Sequence, residues 1–99
     1  VTGGGLAENL DRVVPAAFGL ELRRNSWEVP PVFSFLQRAG NVSDAEMQRT
    51  FNNGIGLVAI MPEKQVEDAS RRLNAMGQKA FLIGEIRALR PGGERIKWN

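Results

Sequence analysis

The chain opens with a glycine-rich run, Thr2-Gly3-Gly4-Gly5, which leads directly into a helical pattern. Glycine runs of this kind let a phosphate group approach backbone N–H groups closely, because no Cβ atom stands in the way. The start of the following helix adds further N–H groups and a partial positive charge. Asn9 and Arg12 follow at three-residue spacing, so one helix face carries an amide and a guanidinium near the same place. The spacing alone favours a flexible terminal tail over a phosphate-binding loop, because short glycine motifs often occur without a ligand.

A second polar cluster lies at Arg49-Thr50-Phe51-Asn52, between a short helical pattern and an apolar run. Arg49, Thr50 and Asn52 supply a guanidinium, a hydroxyl and an amide, which can contact a substrate where the backbone turns. Asn and Gly are also ordinary residues for ending a helix. A purely structural turn is therefore an equal alternative at this position.

The composition excludes several kinds of site. The chain has no Cys and no His, which rules out disulfides, thiol catalysis, His-based triads and most zinc sites. No pair of carboxylates is spaced as an acid/base dyad, and no Ser lies in a nucleophile elbow. We therefore predict no metal site within these residues and assign no catalytic residue.

The charge is nearly balanced but unevenly distributed. Thirteen basic and eleven acidic residues give a net charge of +2, which does not by itself imply a nucleic-acid partner. Seven basic and two acidic residues fall within 71–97, whereas six basic and nine acidic residues fall within 1–70. A basic sheet face that binds RNA is one interpretation, and an ordinary solvated face is the other.

Hydropathy predicts a soluble protein with no membrane partner. The longest apolar stretch, residues 55–62, is far shorter than the roughly 20 residues that span a bilayer. No basic-then-apolar signal sequence opens the chain. We expect a cytoplasmic location.

An alternation of helices and strands must position the two polar clusters. Apolar spacing and the Pro and Gly positions predict four helices, over about residues 6–14, 31–40, 43–51 and 62–76. Alternation and continuous apolar runs predict four strands, over about residues 17–24, 55–61, 80–89 and 94–98. The predicted fold class is α/β (α+β): a mixed sheet of about four strands with helices packed on it, forming a fragment of a larger α/β domain.

Three local features refine this prediction. The run 55–61 is apolar almost throughout, which is typical of a strand buried on both faces, and it would form a βαβ unit with residues 62–76 and 80–89. Phe33 and Leu57 are predicted core residues. The helix starting at Ser43 is expected to carry a capping box with Glu46, and four-residue spacing predicts the ion pairs Glu67–Arg71 and Asp68–Arg72.

Several strings of residues together resemble one enzyme family. They are Thr2 to Asn9, Arg12 to Pro15, Trp27 to Phe33, Glu46 to Asn52, Gly54 to Val58 and Ile83 to Ile86. At this collinear spacing the chain is similar to the phosphoribosylaminoimidazole synthetases, also called phosphoribosylformylglycinamidine cyclo-ligases. The resemblance covers essentially all 99 residues and corresponds to the C-terminal portion of that family's C-terminal domain.

The resemblance implies an ATP-dependent ligase of purine biosynthesis that closes the imidazole ring of formylglycinamidine ribonucleotide. It implies that ATP and Mg²⁺ are bound mainly by an N-terminal domain outside these residues, and that the full-length protein is a homodimer. Residues 1–99 would then form one domain, the C-terminal part of a two-domain synthetase, inactive when isolated. We also expect the gene to extend upstream of Val1, with a strand and a His directly before Thr2.

The resemblance also raises the two polar clusters from possible to expected binding elements. The phosphate- or substrate-binding residues that it implies are Thr2, Gly3, Gly4, Gly5, Asn9, Arg49, Thr50 and Asn52. Related enzymes of the same architecture are alternatives, namely formylglycinamidine synthetase, thiamine-monophosphate kinase and selenophosphate synthetase. The long matches at 27–33 and 49–56 favour the cyclo-ligase, for which no nucleic-acid partner is expected. A free-standing RNA-binding module is the alternative from a different class.

Overall fold

A computed structural model describes all 99 residues, which form four helices and three strands. In chain order these are α1 (Gly5–Val13), β1 (Phe18–Leu22), α2 (Pro31–Gly40), α3 (Asp44–Thr50), α4 (Glu63–Ala75), β2 (Gly84–Ala88) and β3 (Ile96–Trp98). The predicted mixture of helices with a small sheet is confirmed. All four predicted helices are present, within one or two residues of their expected bounds.

The sheet is mixed and has three strands in the order β2-β1-β3. The central strand β1 runs antiparallel to β2, with Leu20 opposite Ile86, and parallel to β3, with Leu20 opposite Ile96. The alternation predicted for β1 is confirmed at Leu20 and Leu22, which are buried in the core, but not at Phe18, which is 41% exposed. The sheet has one strand fewer than expected.

The hydrophobic core lies between α1 and the inner face of β1. Its buried members are Leu6, Leu10, Val14, Leu20, Leu22 and Ile55. Leu6, Leu10 and Val14 recur at helical spacing, so α1 buries one apolar stripe against the sheet. This packing holds the start of α1, and with it the glycine run, against the rest of the fold.

Arg95 ties the far end of α1 to the start of β3. Its guanidinium donates to Asp11 Oδ1 at 3.0 Å and to the carbonyl oxygens of Val14 at 2.6 Å and Pro15 at 2.9 Å. It also donates to the carbonyl of Phe18. Arg95 Nη2 also donates to the carbonyl oxygen of Asp11 at 3.2 Å. Since the last carbonyls of a helix have no partner within the helix, this bond satisfies a group that would otherwise need water.

The predicted strand over 55–61 is wrong. Only Ile55 is buried, whereas Leu57 is 89% exposed and Ile60 is half exposed. The sheet contains only β2, β1 and β3, and the outer edges of β2 and β3 are unpaired. Residues 55–61 therefore pair with no strand. An apolar run predicts burial but does not provide the hydrogen-bonding neighbour that a strand requires. The expected βαβ unit is therefore absent, and residues 80–83 before β2 are also outside the sheet.

The apolar faces of α2 and α4 are uncovered. Neither helix contains a buried residue, and Phe35 on α2 is 62% exposed. Both helices begin after a proline, as predicted. α4 is followed two residues after its end by Gly77, whose φ of 85° suits glycine. The left-handed residue that ends α2 is Asn41, not Gly40.

The remaining local predictions have mixed outcomes. Phe33 is only half-buried, with its ring centroid 6.1 Å from that of Phe51 in an edge-on arrangement. The ion pair Asp68–Arg72 forms at 3.0 Å. The pair Glu67–Arg71 does not form, because Arg71 bonds to Asp68, three residues before it.

Candidate functional site

The glycine run makes the left-handed turn that starts α1. Gly4, the residue before the helix, has a φ of 99°, and Gly5, its first residue, has a φ of 80°. Residues with a Cβ atom rarely adopt this conformation. Gly3 has no such requirement, and a Cβ atom there would meet nothing within 4 Å. Its backbone is therefore open to solvent.

Gly5 packs directly on the end of α3. A Cβ atom at Gly5 would lie 2.0 Å from the carbonyl oxygen of Gln48 and 3.2 Å from that of Phe51. These two residues flank Arg49 and Thr50, so the structure brings the two predicted polar clusters together through their backbones. Sequence spacing gave no sign of this contact, which joins positions more than forty residues apart.

Thr2 and Asn9 bond to each other across the glycine run. Asn9 Oδ1 accepts from the Thr2 backbone N–H at 3.3 Å and from the Thr2 hydroxyl at 3.2 Å. Asn9 Nδ2 donates to the carbonyl oxygens of Thr2 at 3.2 Å and Gly5 at 2.6 Å. Residues 2–5 are therefore a closed loop held to α1, the glycine loop, and its conformation does not match the flexible-tail interpretation.

The carboxylate of Glu8 lies against Gly4. A Cβ atom at Gly4 would stand 2.4 Å from one Glu8 carboxylate oxygen, so an oxyanion of this chain already occupies the space that the glycine leaves. The same carboxylate accepts from Arg12 Nη2 at 3.1 Å. Arg12 therefore lies near the glycine run, as predicted, but its guanidinium is bound to the Glu8 carboxylate.

On α3, Glu46 gathers the two neighbouring polar side chains of the second cluster. Ser43 caps the helix by accepting from the Glu46 N–H at 3.2 Å, so half of the predicted capping box forms. The Glu46 carboxylate does not return to Ser43. It accepts from Arg49 Nη2 through both oxygens, at 2.8 and 2.6 Å, and from the Thr50 hydroxyl at 3.5 Å.

This pairing shifts the pKa values of both side chains. The hydrogen bond from Arg49 lowers the pKa of Glu46, and the bond to Glu46 raises the pKa of Arg49. Both side chains are largely exposed, so solvent screens the pair strongly. Arg49 uses only Nη2 in this contact, which leaves Nε and Nη1 able to donate to a ligand.

The turn after α3 is fixed by two asparagines. Asn52 Oδ1 accepts from the Gly54 N–H at 2.8 Å, which is an Asx turn and leaves its Nδ2 free to donate. Asn53 adopts a φ of 52° and donates through Nδ2 to the Met47 carbonyl at 3.3 Å. Its own carbonyl accepts from the Trp27 indole at 3.0 Å.

An open cleft of about 420 Å³ adjoins this turn. Among its lining residues are Leu6, Arg24, Trp27, Gln48, Asn52 and Asn53. Gln48 also packs through its backbone on Gly5, and Leu6 follows Gly5 directly, so the cleft adjoins the residues that connect the glycine run to α3. Arg24, Trp27 and Gln48 were not predicted as site residues from the pattern. The left-handed conformation of Asn53 was predictable from the sequence, because asparagine after a helix favours it.

The positive charge of residues 71–97 is mostly paired. Five of its seven basic side chains form ion pairs, namely Arg71, Arg72, Lys79, Arg87 and Arg95. The structure contains no group of three or more acidic, His or Cys side chains placed to hold a metal ion. None of its helices is long and apolar enough to cross a membrane.

These features define an α/β module with a glycine loop seated on a polar helix end, and comparison with known proteins identifies its family. Residues 1–96 match the family model described as AIR synthase related protein, C-terminal domain. The chain therefore belongs to this family, as its sequence motifs indicated.

Within the family, three relatives with the same enzyme name are similar to this chain. The chain is 49% identical over 98 residues to a phosphoribosylformylglycinamidine cyclo-ligase of Desulfatibacillum aliphaticivorans, which covers 99% of this chain and 28% of the relative. It is 50% identical over 88 residues to the cyclo-ligase of Methylobacillus flagellatus, covering 89% and 25%. A third cyclo-ligase, from Syntrophus aciditrophicus, is 45% identical over 86 residues, covering 87% and 25%. The chain thus spans about a quarter of the length of these relatives.

Proposed function

We propose that this chain supplies a substrate- and phosphate-binding part of an ATP-dependent phosphoribosylformylglycinamidine cyclo-ligase. The enzyme would convert formylglycinamidine ribonucleotide and ATP into aminoimidazole ribonucleotide, ADP and phosphate. The family match over residues 1–96 and the names of the relatives support this activity over the related synthetases and kinases. The observation that carries the role of the chain is the seating of Gly5 on the end of α3, which brings the backbones of the two polar clusters into contact. We propose that the surface around this contact binds the substrate.

Within this surface the residues would divide the binding between them. The exposed backbone of Gly3 and the N–H groups at the start of α1 would hold a phosphate group. Arg49, through its unused Nε and Nη1, would add a charge-assisted hydrogen bond. Asn52 Nδ2 would donate to a neutral oxygen of the substrate, and the Thr50 hydroxyl, whose proton goes to Glu46, would accept from a substrate N–H or O–H. Such fixed donors stabilise the negative charge that develops when a phosphoryl group is transferred.

A phosphate reaching Gly4 would have to displace the Glu8 carboxylate from its present place. Displacement would break the Glu8–Arg12 ion pair, which is exposed and therefore weak. Arg12 would then be free to face the phosphate. Glu8 thus acts as an internal competitor whose removal from the loop accompanies binding.

The residues of this chain do not fit Mg²⁺. The acidic side chains at the site, Glu8 and Glu46, are each paired with an arginine, and neither belongs to a group of three or more side chains that could hold a metal ion. We propose that Mg²⁺ and most ATP contacts belong to an N-terminal domain of the same enzyme.

That N-terminal domain is also the proposed partner of the uncovered apolar surface. Exposed side chains of α2, α4 and residues 56–61 would be buried once residues 1–99 are joined to the rest of a two-domain synthetase. A homodimer and a cytoplasmic location complete the proposal, as expected for an enzyme acting on nucleotides. RNA binding has no supporting observation, because most basic side chains of residues 71–97 are paired.

The phosphate-binding role can be tested with two glycines that both lie in open space. In a chimera, this chain would replace the aligned 98 residues of the Desulfatibacillum enzyme. Gly3→Ala should raise the KM for ATP or for formylglycinamidine ribonucleotide at least about tenfold, because a Cβ atom would separate phosphate from backbone. Gly56→Ala, where a Cβ atom also meets nothing within 4 Å, should leave both KM values unchanged.

Melting temperatures of both variants should equal that of the chimera, since neither position has a positive φ. Equal KM values for Gly3→Ala and Gly56→Ala would contradict a phosphate-binding role for the loop.

A further inference from the structure

The Asn9 side chain has no hydrogen-bonding capacity left for a ligand. A carboxamide has two N–H donors and two acceptor lone pairs. Oδ1 accepts twice, from the N–H and the hydroxyl of Thr2, at 3.3 and 3.2 Å. Nδ2 donates twice, to the carbonyls of Thr2 and Gly5, at 3.2 and 2.6 Å. All four bonds end within residues 2–5, the glycine loop.

The glycine loop needs such support. Gly4 and Gly5 adopt left-handed conformations, and glycine loses more conformational freedom on ordering than any other residue. Just before the loop, the backbone nitrogen of Val1 lies 2.6 Å from the Gly56 carbonyl oxygen. Asn9, on the first turns of a helix that is anchored in the core through Leu6 and Leu10, connects the loop to a rigid element.

We infer that Asn9 is a positioning residue: it holds the glycine loop in the conformation that receives a phosphate group and does not itself contact the ligand. This differs from the ligand-binding role that the sequence pattern predicts for Asn9. The inference rests on the proposed phosphate-binding function of the loop. Pre-ordering the loop removes an entropic cost that binding would otherwise bear.

The chemistry of the amide distinguishes two substitutions. Asn9→Ala removes all four bonds and leaves the loop free to move. Asn9→Asp keeps the shape of the side chain but removes both donors, and it places a carboxylate beside the carbonyls of Thr2 and Gly5. Asn9→Asp should therefore disturb the loop at least as much as Asn9→Ala, although it is the more conservative change in size.

Asn74 provides a matched control on α4. Its Nδ2 donates to the carbonyl of Ser70, four residues earlier, at 2.8 Å, and its Oδ1 accepts from the Ala80 N–H at 3.5 Å. Asn74 shares with Asn9 the bond to the carbonyl four residues earlier and an accepted backbone N–H, but it makes two bonds where Asn9 makes four, and none of them reaches residues 2–5. Asn74→Ala therefore reports what the loss of a helix-to-backbone amide bond does by itself.

The experiment measures two properties of the chimera with the Desulfatibacillum enzyme carrying each variant. Deuterium uptake of the peptide containing residues 2–6 reports the order of the loop and needs no activity. Steady-state kinetics separate KM from kcat. For Asn9→Ala and Asn9→Asp we expect fast uptake in the loop and a KM for one phosphate-bearing substrate raised at least about tenfold, with kcat within about threefold. For Asn74→Ala, loop uptake and KM should match the unsubstituted chimera.

Unchanged loop uptake in Asn9→Ala would overturn the inference, and a raised KM in that case would make Asn9 a ligand contact. Faster uptake with an unchanged KM would also overturn it, because the loop would then be ordered for stability alone. If the unsubstituted chimera releases no ADP, the proposed function fails, and loop uptake alone decides whether Asn9 orders the loop.

Discussion

At the scale of single residues, the three glycines before α1 have different physical reasons to be glycine. Gly3 leaves the backbone open, Gly4 takes a left-handed conformation beside the Glu8 carboxylate, and Gly5 lets α1 touch α3. A run of identical letters in the sequence indicates backbone freedom at all three positions. Only the structure separates ligand access from packing, because the Gly5 contact is with a carbonyl more than forty residues away.

The Glu46–Arg49 pair gives a pH-dependent prediction at this scale. Arg49→Met should move the pKa of Glu46 back up toward its ordinary value of 4.5, because the hydrogen bond from Arg49 is the main cause of the lowering. Since the pKa is lowered in the folded state, the pair's contribution to stability is present above pH 4.5 and is lost as the pH falls through the lowered pKa. A carbon-13 NMR titration of the Glu46 carboxyl measures the shift.

High salt should reduce the same shift, since the pair is exposed and screening acts within a few ångströms at molar ionic strength. Arg38→Met on α2 is the control and should leave the Glu46 titration unchanged. A Glu46 titration identical in the chain and in Arg49→Met would refute the contact.

At the scale of elements, the helices were predictable and one strand was not. Pro31 and Gly77 mark helix ends through backbone conformations that the residues themselves determine. A strand depends instead on a neighbour, and nothing within residues 55–61 specifies one. The same limit applies to the site: the residue types of both clusters were visible in the sequence, whereas their junction through Gly5 and the bonds of Asn9 required the fold.

The core boundary can be tested with a pair of leucines. Leu22 is 2% exposed, so Leu22→Ala should lower the free energy of unfolding of this chain by about 2–5 kcal/mol. Leu57 is 89% exposed, so Leu57→Ala should change it by less than about 0.5 kcal/mol. Urea midpoints measure both. A large loss in Leu57→Ala would mean that residues 55–61 are packed as a strand after all.

At the scale of the whole molecule, the chain exposes more surface than a compact protein of its mass. Its accessible surface is 7237 Å², against about 5,600 Å² for a folded monomer of this size. Its radius of gyration is 14.5 Å, against about 12.6 Å for a compact domain. The excess is large enough for a permanent interface, and it supports the proposal that further parts of a longer enzyme cover α2, α4 and residues 56–61.

The central claim is that this chain serves as the site-bearing C-terminal part of a cyclo-ligase. The most direct measurement is the release of ADP and phosphate from ATP and formylglycinamidine ribonucleotide. It compares the chain alone with the chimera in which the chain replaces the aligned 98 residues of the Desulfatibacillum enzyme. We expect no turnover by the chain alone, because its residues do not fit Mg²⁺, and a chimera kcat within about tenfold of that of the parent enzyme. A chimera that folds with the parent's melting temperature yet releases no ADP would contradict the claim, as would turnover by the 99 residues alone.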